Sequence, residues 1–159
     1  MAIELNPFRQ SPGLCGPASL KILLDYYGRT YTEGELSEIC NATAEYGTDH
    51  ADMVAAVASI GGEPVEKFGA SLDDIRGFVD DEIPVIVGWF SEYGGQGDHY
   101  SVVYAMDNET LSMMDPERDE GSVTMPLDAF EKVWYDFDGP DDVRVERWMM
   151  AVPSFKPTP

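Results

Sequence analysis

Residues 10–28 read Gln-Ser-Pro-Gly-Leu-Cys-Gly-Pro-Ala-Ser-Leu-Lys-Ile-Leu-Leu-Asp-Tyr-Tyr-Gly, a polar approach rich in glycine and proline that runs into a strongly amphipathic stretch. Leu20, Leu23, Leu24 and Tyr27 recur at i, i+3, i+4 and i+7, which is one apolar helix face. Pro17 suits a first turn, and Gly28 closes the helix by taking the left-handed conformation that a residue without Cβ adopts freely. Cys15 therefore stands at or near a helix N-terminus, where unpaired N–H groups and the positive end of the dipole favour an anion. The thiolate is the nucleophilic form of cysteine and is scarce for an ordinary thiol at neutral pH, so this placement bears on chemistry. Gly16 beside it is expected to leave room for a substrate. Cys40, on the apolar side of a helix with Leu36 and Ile39, reads as a small buried hydrophobe. The same structural reading is open for Cys15, although a Gly-Pro neighbourhood is poor core material.

Outward from this helix, Thr32 and Glu35 have the spacing of a capping box and open a second helix that runs to about residue 42. A third helix is expected from residue 48 or 49, burying Met53, Val57 and Ile60 and ending at Gly61-Gly62. A fourth spans residues 72–81 behind Ser71, with Asp73 and Asp74 in its first turn. Beyond Pro84 the period becomes extended: Val85-Ile86-Val87 reads as a buried strand, and residues 100–106 pair across Asp107-Asn108 with residues 110–114. Further strands are expected at 122–125 and 143–152, with a short helix from Leu127 to about Trp134 and an acidic loop over 136–142. Helices first and antiparallel strands after give the α+β class, N-terminal helices packed on a C-terminal antiparallel sheet. One domain over residues 1–152 is expected, followed by a flexible tail at 153–159.

The chain has 159 residues, a length at which a single domain buries roughly two-thirds of the surface its unfolded form exposes and needs no disulfide or metal staple. Thirty acidic residues against ten basic ones give a formal charge of −20, which repels phosphate backbones and anionic lipid and argues against nucleic-acid binding. The acids are spread along the chain, a solvated and salt-tolerant surface of the kind expected of a halophilic protein. Two cysteines point to a reducing compartment and a cytoplasmic location. The first ten residues carry Glu4 and Arg9 and lack the apolar core of a signal peptide, and no apolar run is long enough for a membrane span. Scattered carboxylates without an Asp-x-Asp-x-Asp-Gly loop give no metal site, and no cofactor is expected.

His99 follows Gly94-Gly95-Gln96-Gly97-Asp98 and heads the strand Tyr100-Ser101-Val102-Val103-Tyr104, so a base there would be reachable yet anchored. Alone it reads equally as an ordinary strand-end histidine. With the hairpin turning at Asp107 or Asn108, residue 115 or 116 faces His99. Asp115 then lies within two rungs, roughly 5–8 Å away, where a carboxylate can fix the imidazole tautomer and steady the imidazolium. A simple Asp-Pro turn at Asp115-Pro116 is the competing reading. Gln10, five positions before Cys15, could turn its amide toward the sulfur and form an oxyanion hole with the Cys15 N–H, or be a plain polar loop residue. His50, in the first turn of the third helix, is the rival base, though that position suits local capping or substrate contact because the dipole disfavours its charged form. Substrate contacts are expected from the loops over 89–97 and 45–50, and from Gly16, Trp89 and His50 in particular.

Taken together, Gln10 to Leu20 with Leu23-Leu24-Asp25-Tyr26-Tyr27-Gly28 resembles the active-site helix of the bacteriocin-processing, double-glycine leader peptidase branch of papain-like cysteine peptidases. Those enzymes trim leader peptides, often after two glycines. Asp98-His99-Tyr100-Ser101-Val102-Val103 is similar to the family's histidine strand and Met114-Asp115-Pro116 to its Asp-Pro element, so the likeness covers about residues 8–152. It implies a papain-like fold and a cysteine peptidase acting on a peptide or protein. In it Cys15 would be nucleophile, His99 general base and acid, Asp115 orienting carboxylate and Gln10 oxyanion donor. Four residues separate Gln10 from Cys15 where family members commonly show five. Many relatives are fused to a transporter's membrane and nucleotide-binding domains, whereas a stand-alone peptidase is expected here, for which export-coupled cleavage is not implied. Two rival readings keep the same site: an acyl transferase or amidase working through the acyl-thioester, and a catalytically silent peptide-binding module.

Overall fold

In the computed structural model, which describes residues 3–91 and 97–157, the decisive helix forms over Cys15–Tyr26 (α1). Leu20, Ile22, Leu23 and Leu24 are buried, and Gly28 ends the helix with φ +76°. Glu33–Ile39 (α2) and Leu72–Asp80 (α4) each begin with a complete capping box, Thr32 with Glu35 and Ser71 with Asp74. In each, two backbone donors at the helix start are satisfied by side chains a single turn apart. Between them lie His50–Ser59 (α3) and a short strand, Val65–Lys67 (β1).

Val85–Ser91 (β2), Gly97–Met106 (β3), Thr110–Met114 (β4), Ser122–Pro126 (β5) and Trp148–Ala151 (β8) join β1 in one antiparallel sheet of order β1-β8-β2-β3-β4-β5. Strand alternation divides the apolar residues between two cores. Ile86, Tyr100, Val102 and Met150 face α1, α2 and α3, while Val85, Val87, Val103 and Met149 face α4 and the helix Leu127–Val133 (α5). A sheet covered on both sides explains why β2 reads as a continuous apolar run rather than an alternating one.

Three expectations are corrected. The single strand expected over 143–152 breaks at Arg147, where φ is +51°, into Val143–Glu146 (β7) and β8. β7 pairs with Tyr135–Asp138 (β6) as a separate two-stranded ribbon, in place of the acidic loop expected over 136–142. Two backbone-directed bonds hold the break, Arg147 N–H to the Trp134 carbonyl and the Trp134 indole to the Trp148 carbonyl, both 3.0 Å. The tail expected from residue 153 instead forms a turn of 3-10 helix, Pro153–Phe155, because Phe155 has an apolar site to fill. Its ring is buried against Tyr27 and Arg29, and the Ser154 hydroxyl accepts from the Glu63 N–H. The glycine-rich stretch 94–96, expected as a substrate loop, lies outside the described residues.

Candidate active site

Cys15 is the first residue of α1 and is half-buried at the helix N-terminus. His99, on β3, is hydrogen-bonded both to Cys15 and to Asp115, with Nε2 to Asp115 Oδ1 at 2.5 Å. That contact occupies Nε2 and leaves Nδ1 as the nitrogen for the sulfur. The sheet sets this up through an irregularity. The β3–β4 register shifts between Val103 and Ala105, so Val102 faces Met114. Continued past the end of β4, this register puts Glu117 rather than residue 115 or 116 across from His99, with Asp115 on the diagonal. Glu117 Oε2 accordingly lies 3.7 Å from His99 Nδ1.

Asp115 is 1% exposed and both its oxygens are engaged: Oδ1 also accepts from the Glu117 N–H at 3.0 Å, and Oδ2 from Arg118 Nε at 3.1 Å. Burial by itself disfavours the His99 imidazolium, but hydrogen bonds and charge from Asp115 and Cys15 outweigh it and raise the ring to about 10. Burial likewise pushes Asp115 up, yet the His99 bond and charge, with the two further donors, hold it below the usual carboxylate range. The arrangement favours a charged ring between two acceptors.

Gln10 is placed by its backbone, whose N–H donates to the Pro116 carbonyl at 2.8 Å and ties the approach to α1 to the Asp-Pro turn. Its side-chain oxygen is out of solvent with no hydrogen-bond partner, and its amide nitrogen makes only a long 3.4 Å contact to the Ser11 carbonyl. Gln10, Cys15 and His99 share the lining of a cavity of about 510 Å³. Its walls are acidic: among the described residues Glu45, Asp49, Asp98, Glu117, Asp136, Asp138 and Asp142 line it, facing Arg9 and His99, and Arg9 is held by the Glu117 carbonyl and by Asp119. Asp98 shows the crowding: burial, then the charges of Asp136 and Asp142, push its carboxyl up against the opposing bond from the Phe137 N–H.

The three residues expected to contact substrate lie elsewhere. Gly16 is buried, and a Cβ there would sit 2.8 Å from Thr48 Oγ1 and 3.2 Å from Met53 Sδ, so its smallness lets the 43–49 loop close on α1. Trp89 is 4% exposed, donates to Ser101 Oγ at 3.0 Å and stands 6.0 Å behind the His99 ring as part of the core. His50 is 2% exposed and lies beneath the cavity, bonded to Asp136 and Tyr100. Tyr100, Glu117 and Asp136 do line the cavity and were not singled out. Only Tyr100 carried a signal, its place next to His99 at the head of β3.

The chain matches the Peptidase C39 family over residues 9–137. It is 28% identical over 144 residues to the transport/processing ATP-binding protein ComA of Streptococcus pneumoniae strain R6, covering 90% of this chain and 18% of that protein. The chain therefore spans less than a fifth of that relative's length. An uncharacterized protein of Methanothermobacter marburgensis is 31% identical over 127 residues, 79% of this chain and 80% of that one. Among solved structures, the peptidase domain of Streptococcus ComA superposes with a TM-score of 0.72 at 23% identity, covering 95% of this chain and 98% of that domain. The sheet and helices are thus those of the papain-like fold of these peptidase domains.

Proposed function

The chain belongs to the Peptidase C39 family, a family of cysteine-type peptidases, and from that premise we propose that it hydrolyses peptide bonds through Cys15, His99, Asp115 and Gln10. The supporting observation is the double engagement of His99, to Cys15 and to Asp115, on the wall of a cavity whose volume falls within the 300–1,000 Å³ typical of ligand sites. With the proton already held on His99 Nδ1, Cys15 Sγ attacks the scissile carbonyl carbon. The oxyanion that develops is received by the Cys15 N–H and the Gln10 amide. The C–N bond then breaks, the amine leaves with the proton from His99, and a thioester remains. Water, deprotonated by His99, attacks the thioester, and the acid product leaves as the C–S bond breaks, with the proton back on His99 beside Cys15 Sγ. Asp115 holds Nε2–H throughout, which keeps Nδ1 as the working nitrogen. ComA is by its name a transport/processing protein. For this chain the proposal takes the processing step, on a peptide or protein, in a reducing compartment such as the cytoplasm that keeps Cys15 a thiol.

The test is alkylation by iodoacetamide at mildly acidic pH, with Cys15 and Cys40 read separately by peptide mass spectrometry, followed by a peptide-library screen. Cys40 is an internal reference, since burial and then the Asp52 charge push its thiol up to about 12. Cys15 is expected to react at least about tenfold faster than free glutathione. It should slow in His99→Ala, and library cleavage should vanish in Cys15→Ala. Cys15 reacting no faster than glutathione, indifferent to His99→Ala and without library cleavage, would leave the peptide-binding module as the reading.

A further inference from the structure

The second histidine is built into the molecule as thoroughly as the first. His50 is the first residue of α3 and is buried, its ring stacked on Trp148 at 4.1 Å and 8°. Its backbone N–H donates to Asp138 Oδ1 at 2.9 Å. Nε2 lies 3.0 and 2.9 Å from the two oxygens of Asp136. Nδ1 is 2.6 Å from the Tyr100 hydroxyl, and that hydroxyl also donates to the Thr48 carbonyl at 3.0 Å. Gly88 permits the pairing, for a Cβ there would sit 2.5 Å from Asp136 Oδ2 and 3.0 Å from His50 Cε1. Thr48 belongs to one wall of the cavity, and Asp136 and Asp138 to another. All of these bonds converge on His50.

Tyr100 has one hydroxyl group, set between the Thr48 carbonyl at 3.0 Å and His50 Nδ1 at 2.6 Å, while the Asp136 carboxylate lies at Nε2 on the other side of the ring. The ring thus joins the 43–49 loop, through Tyr100, to β6. The charged and titratable groups facing His50 are Asp136 and Asp138 from β6, Tyr100 and Asp98 from β3, and Asp49 beside it in the chain.

We propose that His50 is a positioning residue that clamps the 43–49 loop to β6 and so fixes the spacing of the peptide cleft, without taking part in the chemistry at Cys15. The proposal rests on the peptidase reading of the cavity. It separates two properties that a folding defect would lose together: alignment of a peptide in the cleft and activation of the thiol. Iodoacetamide fills no cleft and reports activation, whereas Ala-Gly-Gly chloromethyl ketone alkylates the same sulfur only after lying along the walls.

In His50→Gln the iodoacetamide rate at Cys15 is expected to stay within about twofold of wild type, while the concentration of chloromethyl ketone giving half-maximal inactivation rises about tenfold or more. Tyr100→Phe, which keeps the ring and removes the link to Thr48, gives the same split in a milder form should His50→Gln fold poorly. Equal loss with both reagents, or no change with the ketone, overturns the proposal. Failure of the ketone to saturate in wild type, with iodoacetamide reactivity intact, would instead sink the peptidase reading on which it rests.

Discussion

Asp115→Asn is the most informative single change at the site, because the neighbours of Asp115 let its effect be worked out atom by atom. Oδ1 accepts from both His99 Nε2 and the Glu117 N–H, so the amide oxygen of asparagine settles there and keeps those two bonds. The NH2 then points at Arg118 Nε, a donor facing a donor where Oδ2 had accepted at 3.1 Å. Arg118 is 23% exposed and can turn to water, so the stability cost is about 2 kcal/mol, toward the low end for breaking a buried pair. In a chain of this size that lowers Tm by about 4–8 °C. The larger effect falls on His99: with the Asp115 charge gone, burial still opposes the imidazolium, and Cys15 and the Glu117 carboxylate 3.7 Å from Nδ1 are left to support it. An adjacent opposite charge is worth roughly 1–3 pKa units, so the ring should lose its proton that far below its wild-type value of about 10. With two histidines in the chain, ring NMR resolves His99 without ambiguity. Titration of His99 at the same pH in both proteins, or near 6.5 already in wild type, would refute the claim that Asp115 holds the imidazolium.

Gln10→Ala removes one of two oxyanion donors and is expected to lower kcat on a cleaved peptide by about 10²–10³ with KM little changed; a rise in KM alone would make Gln10 a binding residue. His99 is raised in the folded state, so its contribution to stability is complete below the unfolded value of 6.5 and is lost as pH climbs to about 10. Asp115, lowered, contributes above its ordinary range near 3.8 and loses that as pH falls. Melting curves should therefore decline more steeply between these alkaline limits for wild type than for His99→Gln, and parallel curves would remove the linkage. The seven carboxylates around the cavity predict faster cleavage of peptides bearing Lys or Arg near the scissile bond than of acidic counterparts, as measured by kcat/KM. That preference should shrink toward 1 M salt, where the screening length is about 3 Å, and its absence at low salt would count against the charge argument.

What could be read along the chain was whatever depends on near neighbours. The capping boxes at Thr32 and Ser71, the helix start at Cys15 and the stop at Gly28 each rest on residues within one turn of one another. The hairpin that brings Asp115 to His99 is nearly as local, although its turn, closed by Met106 and Leu111, lies later than expected and makes Glu117 the rung facing His99. What escaped depends on partners far along the chain. Asp136 looked like loop material because carboxylates are poor strand residues, and its burial is intelligible only once His50, eighty-six positions earlier, is seen to face it. Trp89 looked like a substrate contact because it precedes a glycine-rich stretch, yet its alternation on β2 sends it into the core. Gly16 looked like an opening for substrate until Thr48 was found occupying that space.

The place of β8 in the sheet has a consequence for how the molecule is made. β8 lies between β1 and β2, pairing Met150 with both Glu66 and Ile86. Until that late strand is seated, β1 has no partner in the sheet and one edge of β2 stands open. That edge is Val85-Ile86-Val87-Gly88-Trp89-Phe90, six residues without a charge or a proline. Such an edge is a template on which a second chain can add its own strand, and closing a sheet through so distant a segment is slow. Refolding yield should therefore fall with chain concentration, with crowded inclusion bodies as the competing product. A lysine or glutamate on β2 would relieve that hazard only by entering one of the two cores, so the remedy open to the cell is to shield the edge until β8 arrives.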